Sequence, residues 1–172
     1  TMTAGATVTQ AGIQFLSTPS GTAGVDDSFT ITDVQLEISS QATTFQRLNF
    51  SQQLNACQYF YNKSFYYGTA PAQNVGAGTG ETFFPSTGIG AISIVAQTNV
   101  FPVTMRIDPA VTLYNPAAAN AQIRNESQTQ DFTNSTVGDS NEKGFALLGT
   151  GSVSTVVGDA CGIHWSAEAE LV

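Results

Sequence analysis

His164 is the single histidine of the chain, and histidine is the side chain whose ordinary titration falls nearest neutrality, so proton-transfer chemistry would start there. A Ser-His-Asp site needs that base beside a nucleophile. The sequence contains no Gly-x-Ser-x-Gly elbow to present one. Asp26 with Asp27, and Asp139 with Asn141 and Glu142, carry oxygens suited to Ca²⁺. Neither group has the fixed ligand spacing and glycine of a calcium loop, and no carboxylate spacing marks a glycosidase pair. The glycines at 76–80 lack the Lys-Ser/Thr of a phosphate-binding loop. The chain is therefore read as a non-enzyme, with no catalytic residue, no metal site and no cofactor.

Recognition is a better match to the residue types. Tyr59, Phe60, Tyr61, Phe65, Tyr66 and Tyr67 form the densest aromatic run, and aromatic faces stack on sugars or anchor protein contacts. Alternate members are expected inside the fold. Tyr66 and Tyr67, beside Gly68, are expected exposed on a loop. His164 is expected on the outer face of a regular strand, as a surface binding or pH-sensitive contact. Tyr66, Tyr67 and His164 are thus the expected binding residues.

The elements that would position them are strands. Ile163, Trp165, Ala167, Ala169 and Leu171 alternate with His164, Ser166, Glu168 and Glu170, which predicts a C-terminal strand with one buried face. Phe101, Val103, Met105 and Ile107 alternate in the same way, with Pro102 placing that strand at an edge or at its start. Phe29 and Ile31 differ in parity from Val34, Leu36 and Ile38, which predicts a bulge near Thr32-Asp33. Further strands are predicted at Thr7–Leu16, Gln58–Tyr67, Ile89–Gln97, Ala110–Tyr114, Phe145–Thr150 and Ser152–Val157. Gly-rich breaks, among them Gly149–Gly151, separate them. One helix is predicted at about residues 50–58, where Phe50, Leu54 and Cys57 share a stripe and Asn49 with Gln52 forms a capping box. The polar stretch from Pro116 to Gly144 reads as exposed loop, with a hairpin at Phe132–Val137. Eight or nine short strands with regular turns point to an all-β antiparallel sandwich or barrel in one domain spanning 1–172.

Composition bounds the partners. Of the 172 residues only 10% are charged, against about 25% in ordinary globular chains. Thirteen acidic and five basic residues give a net charge of −8. The cations Arg47, Lys63, Arg106, Arg124 and Lys143 are scattered, which argues against nucleic acid. No apolar run approaches a membrane span, and Thr1–Gly5 shows no signal-peptide character. An anionic glycan is repelled overall, although a local site can accept one. Cys57 and Cys161 are expected to be two buried free thiols. The sequons at Asn49, Asn62, Asn125 and Asn134 read as products of an Asn-, Ser- and Thr-rich composition.

Several segments, taken in order, carry a resemblance. They are Phe29-Thr-Ile-Thr-Asp33-Val-Gln35-Leu36-Glu37, Ala42-Thr-Thr-Phe45 with Arg47, and Leu54-Asn-Ala-Cys57-Gln58-Tyr59-Phe60-Tyr61. After these come Met105-Arg106, Pro109-Ala-Val-Thr112-Leu-Tyr114 and the closing His164-Trp165-Ser-Ala167-Glu168-Ala169-Glu170-Leu171. Together they resemble a C-terminal domain recurrent in tailed-bacteriophage tail fibres and virion proteins. Gln52 and Gln53 replace a usual Glu, Tyr59 stands where Arg is usual, and Ala110 replaces Thr. The resemblance implies a jelly-roll type of sandwich, here a short member or the C-terminal part of a longer virion protein. It implies a structural, receptor-binding module of the virion, assembled in the bacterial host cytoplasm. The expected partners are two further copies in a homotrimer, other virion proteins and a host cell-surface glycan. A head-decoration or neck protein without receptor binding is the alternative, and a tailspike-type polysaccharide hydrolase fragment the next.

Overall fold

The computed structural model describes residues 15, 16, 18, 30–32, 34, 41, 43–45, 47–92, 94–152 and 154–170. Its contacts divide the chain into two units, Thr1–Leu48 and Asn49–Val172. The described residues of the first unit include no helix or strand. Asp33 of the predicted bulge, most of the Thr7–Leu16 strand and most of the Val34–Glu37 motif lie outside the described residues.

The second unit is an antiparallel β-sandwich. Helix α1 (Phe50–Gln58) opens it, with the predicted capping box in place. The Asn49 side chain accepts from the Gln52 N–H at 2.9 Å, and the Gln52 side chain accepts from the Asn49 N–H at 3.0 Å. Strands follow at β1 (Tyr61–Lys63), β2 (Thr82–Pro85), β3 (Ile94–Val100), β4 (Ala110–Tyr114), β5 (Arg124–Asn125), β6 (Gln130–Asp131), β7 (Asn134–Asn141), β8 (Gly144–Thr150) and β9 (Ala160–Glu168), with a 3₁₀ turn at Gly90–Ile92.

One sheet is built around β9. Tyr61 of β1 and Ala110 of β4 both pair with Glu168, so they flank it on opposite edges. At the other end Phe83 of β2 and Arg124 of β5 both pair with Gly162. The carbonyls of Trp165 and Asp159 share a parity and accept from Ser64 and Ser86. That parity places β1 and β2 in succession along one edge, and β4 and β5 along the other. The second sheet runs β3-β8-β7.

The core lies between the sheets. Cys161, Ile163, Trp165 and Ala167 point inward from β9 and meet Phe145 and Leu147 from β8. The Phe145 ring meets Trp165 edge-on at 5.3 Å and Phe101 at 5.9 Å. Each such side chain contributes about 1.5–3 kcal/mol by leaving water. This inner face is the one the alternation predicts.

The sequence reading needs correction at several points. Phe101–Ile107 is not a strand: regular pairing ends at Val100, and Phe101 and Met105 are buried from an irregular connection while Ile107 is exposed. The N–H groups of Phe101, Met105 and Arg106 donate to carbonyls of Lys143, Glu142 and Tyr59, so alternation persists without a ladder. The described residues of Ser152–Val157 form no strand. Conversely, Gly149 is no break. A Cβ there would lie 2.5 Å from Ile123 Cδ1 and 2.9 Å from Phe132, so the glycine admits both side chains onto β8. Pro116–Gly144 is accordingly no free loop: Ile123 and Phe132 are core, and β5, β6 and β7 arise from it. The α1 stripe is not buried either. Phe50 is 70% exposed and Cys57 is exposed, while Cys161 is fully buried.

Candidate functional site

Beside β1 the chain turns sharply and forms a groove of about 410 Å³, within the range of small-ligand sites. Tyr66 and Tyr67, 62% and 71% exposed, supply its rim, and the buried Phe65 and Trp165 supply its floor. Gln58, Asn62, Lys63, Ser64 and Pro102 complete the lining.

The turn is held at several points. The Lys63 ammonium donates to the carbonyls of Tyr67 at 3.0 Å and Thr69 at 2.7 Å. The Thr69 N–H closes onto the Tyr66 carbonyl at 2.9 Å. Gly80, at φ +84°, lies under the turn: a Cβ there would meet the Ser64 carbonyl at 2.8 Å and the Tyr66 ring at 3.4 Å. The tyrosines are thus presented by a loop whose backbone is already fixed, which lowers the entropic cost of binding.

His164 does not reach this surface, which corrects the expectation. It is fully buried, because the outer face of β9 is covered rather than solvated. Phe65 stacks on the imidazole, and residues 76–81 close over it. His164 Nε2 faces the Gly76 carbonyl at 3.0 Å. A carbonyl only accepts, so Nε2 carries a proton, and Nδ1 shares a 2.9 Å hydrogen bond with the Ser64 hydroxyl. That hydroxyl oxygen accepts in turn from the Trp165 N–H at 2.9 Å. Serine and histidine are therefore paired, but every polar atom of the pair is spent on the fold and the orienting partner is a carbonyl, not a carboxylate.

Glu81 anchors the covering loop through a 2.6 Å bond from the Gly78 N–H. Its Oε2 is buried without a partner. Burial pushes its carboxyl above the usual range, the Gly78 N–H pulls it back, and nearby Glu126 raises it further. Burial likewise pushes the Cys161 thiol up to about 12.

Asp139 lies in the irregular part of β7 rather than in a loop, and the Asn141 side chain accepts from the Lys143 N–H. Among the described residues no group of three His, Cys, Asp or Glu side chains is placed to hold a metal. Among them, too, no helix is long and apolar enough to cross a membrane. Two sequons are structural: Asn62 donates to the Gln58 carbonyl and Asn125 to Asp159, both from buried positions.

Sequence reasoning expected Tyr66 and Tyr67 to be exposed, as they are, but did not single out Lys63, Gly80 and Ser64, which hold or adjoin their turn. An aromatic run gives itself away by composition, whereas a lysine that binds carbonyls four and six residues on has no signature. A scan of family models and searches of curated proteins and of solved structures find no match to this chain.

Proposed function

We propose that this chain is a bacteriophage virion surface or tail-fibre module that binds a host glycan through the groove at Tyr66 and Tyr67. The observation that carries the reading is a pair of exposed tyrosines on a preorganised turn, in a groove also lined by the amide side chains of Gln58 and Asn62, a composition suited to a sugar site. The Ser64–His164 pair favours binding over hydrolysis, since neither side chain keeps a free polar atom for substrate. The resemblance to phage domains gains support from the topology. The segment ending at Tyr61, the segment from Pro109 to Tyr114 and the closing segment all meet at β9.

The purified chain is expected to bind host cells or their surface polysaccharide, and Tyr67→Ala to abolish binding without lowering the melting temperature. Binding that survives Tyr66→Ala and Tyr67→Ala together would refute the groove. The homotrimer that the resemblance implies is part of this reading, and light scattering at a monomer mass would overturn that assembly. A structural decoration role is what remains if no cell or glycan binds while the chain is found in particles by mass spectrometry.

A further inference from the structure

We infer that the groove selects a sugar bearing a carboxylate, such as a hexuronic acid, with Lys63 as the residue that reads the charge. The inference rests on the glycan-binding reading. Among the described residues Lys63 is the one charged side chain lining the groove, and no acidic side chain among them lines it. In a chain of net charge −8 this is a local reversal of sign, and a neutral sugar gives no reason for it.

The chemistry of the ammonium fits the role. It has three donors, and two are spent on the carbonyls of Tyr67 and Thr69. Those bonds fix the nitrogen in place and leave one N–H for a ligand. Because both partners are neutral carbonyls, the positive charge is not cancelled. A carboxylate taking the third N–H forms a charge-assisted bond, roughly twice as strong as a neutral one. The exposed rings of Tyr66 and Tyr67 meanwhile accept the apolar face of a pyranose. The Asn62 side chain spends one N–H on the Gln58 backbone carbonyl at 2.7 Å, and the amides of the groove carry no charge. The strongest polar handle in the groove is therefore the lysine.

The test compares an oligomer of hexuronic acid with the same oligomer after carboxyl reduction, titrated calorimetrically into the intact chain. The acidic oligomer is expected to bind about tenfold tighter, as one charge-assisted bond allows, and the margin should shrink as salt screens it. Lys63→Gln keeps an amide donor for the turn but removes the charge. The ratio of affinities for the acidic and the reduced oligomer is expected to fall from about tenfold to about one, whatever the altered turn does to both affinities. A purely structural lysine would instead weaken both ligands equally, and that result overturns the inference. Equal affinity of the native chain for the two oligomers overturns it too, while leaving the groove as a glycan site. If neither oligomer binds and host polysaccharide also fails to bind, the glycan reading itself falls.

Discussion

The ring of Phe65 lies flat on the imidazole of His164, centroids 4.0 Å apart and planes 14° from parallel. The phenyl ring is the floor of the groove, and the imidazole is the support beneath it. His164→Ala would leave a void under Phe65 and strip partners from the Ser64 hydroxyl and the Gly76 carbonyl. A loss of about 2–4 kcal/mol follows from cavity formation and orphaned polar groups. Urea unfolding measures it, and a variant as stable as the parent would show that the stack supports nothing.

Gly80 makes a second test of how the turn is held. Its φ of +84° disfavours a side chain by about 1–2 kcal/mol, and an added methyl would press on the Ser64 carbonyl and the Tyr66 ring. Gly80→Ala should therefore lower both the melting temperature and the glycan affinity, whereas Gly68→Ala, with open space around it, should leave both within error. Similar behaviour of the two variants would mean that close packing under Tyr66 is not what fixes the rim.

The two cysteines should separate in reactivity. Cys57 is exposed at the end of α1, whereas Cys161 is buried with its thiol pushed up to about 12. A thiolate is needed for attack, so a disulfide reagent should titrate one thiol in the folded chain and the second only after denaturant is added. Two rapid equivalents would contradict the packing of β9 against β8.

What was legible beforehand depended on whether a residue's environment leaves a trace in its neighbours. The inner face of β9 could be read because Ile163, Trp165 and Ala167 alternate with polar residues, and period two is the geometry of a strand. The burial of its outer face could not. His164 and Ser166 are polar, and what covers them comes from distant segments, Phe65 and Gly76 at His164 and Tyr114 at Ser166, while Glu168 stays exposed. The α1 cap was legible because Asn49 and Gln52 interact locally. In β7 the polar run Asn134–Asn141 hides a strand, since an edge strand facing solvent has little apolar content to declare it. Met105 shows the opposite failure: the apolar parity was right, but Pro102 and the bonds to Glu142 and Tyr59 replace a ladder.

Glu81 gives the sharpest dependence on pH. Its carboxyl is raised above the ordinary value of 4.5, chiefly by burial. The folded state therefore holds the proton more tightly than the unfolded chain does. Stability from this group is fully present below the unfolded pKa and is lost as pH rises through the folded one. Asp159 runs the other way. Bonds from Asn125 and the Val156 N–H hold it low against burial, so its contribution is present above the unfolded pKa and disappears as pH falls through the folded value. The raw profile mixes the two, and the variant Glu81→Gln separates them. The amide keeps an oxygen for the Gly78 N–H but carries no charge into the buried site beside Glu126. Glu81→Gln should accordingly be more stable than the parent at neutral pH, and the gap should close as pH falls below 4.5, where the parent's carboxyl is protonated in both states. Thermal unfolding of both proteins across that range reads the difference directly. A gap that stays constant with pH would mean that Glu81 is not held in a charge-averse site. A variant less stable at neutral pH would mean that Oε2 has a charge partner.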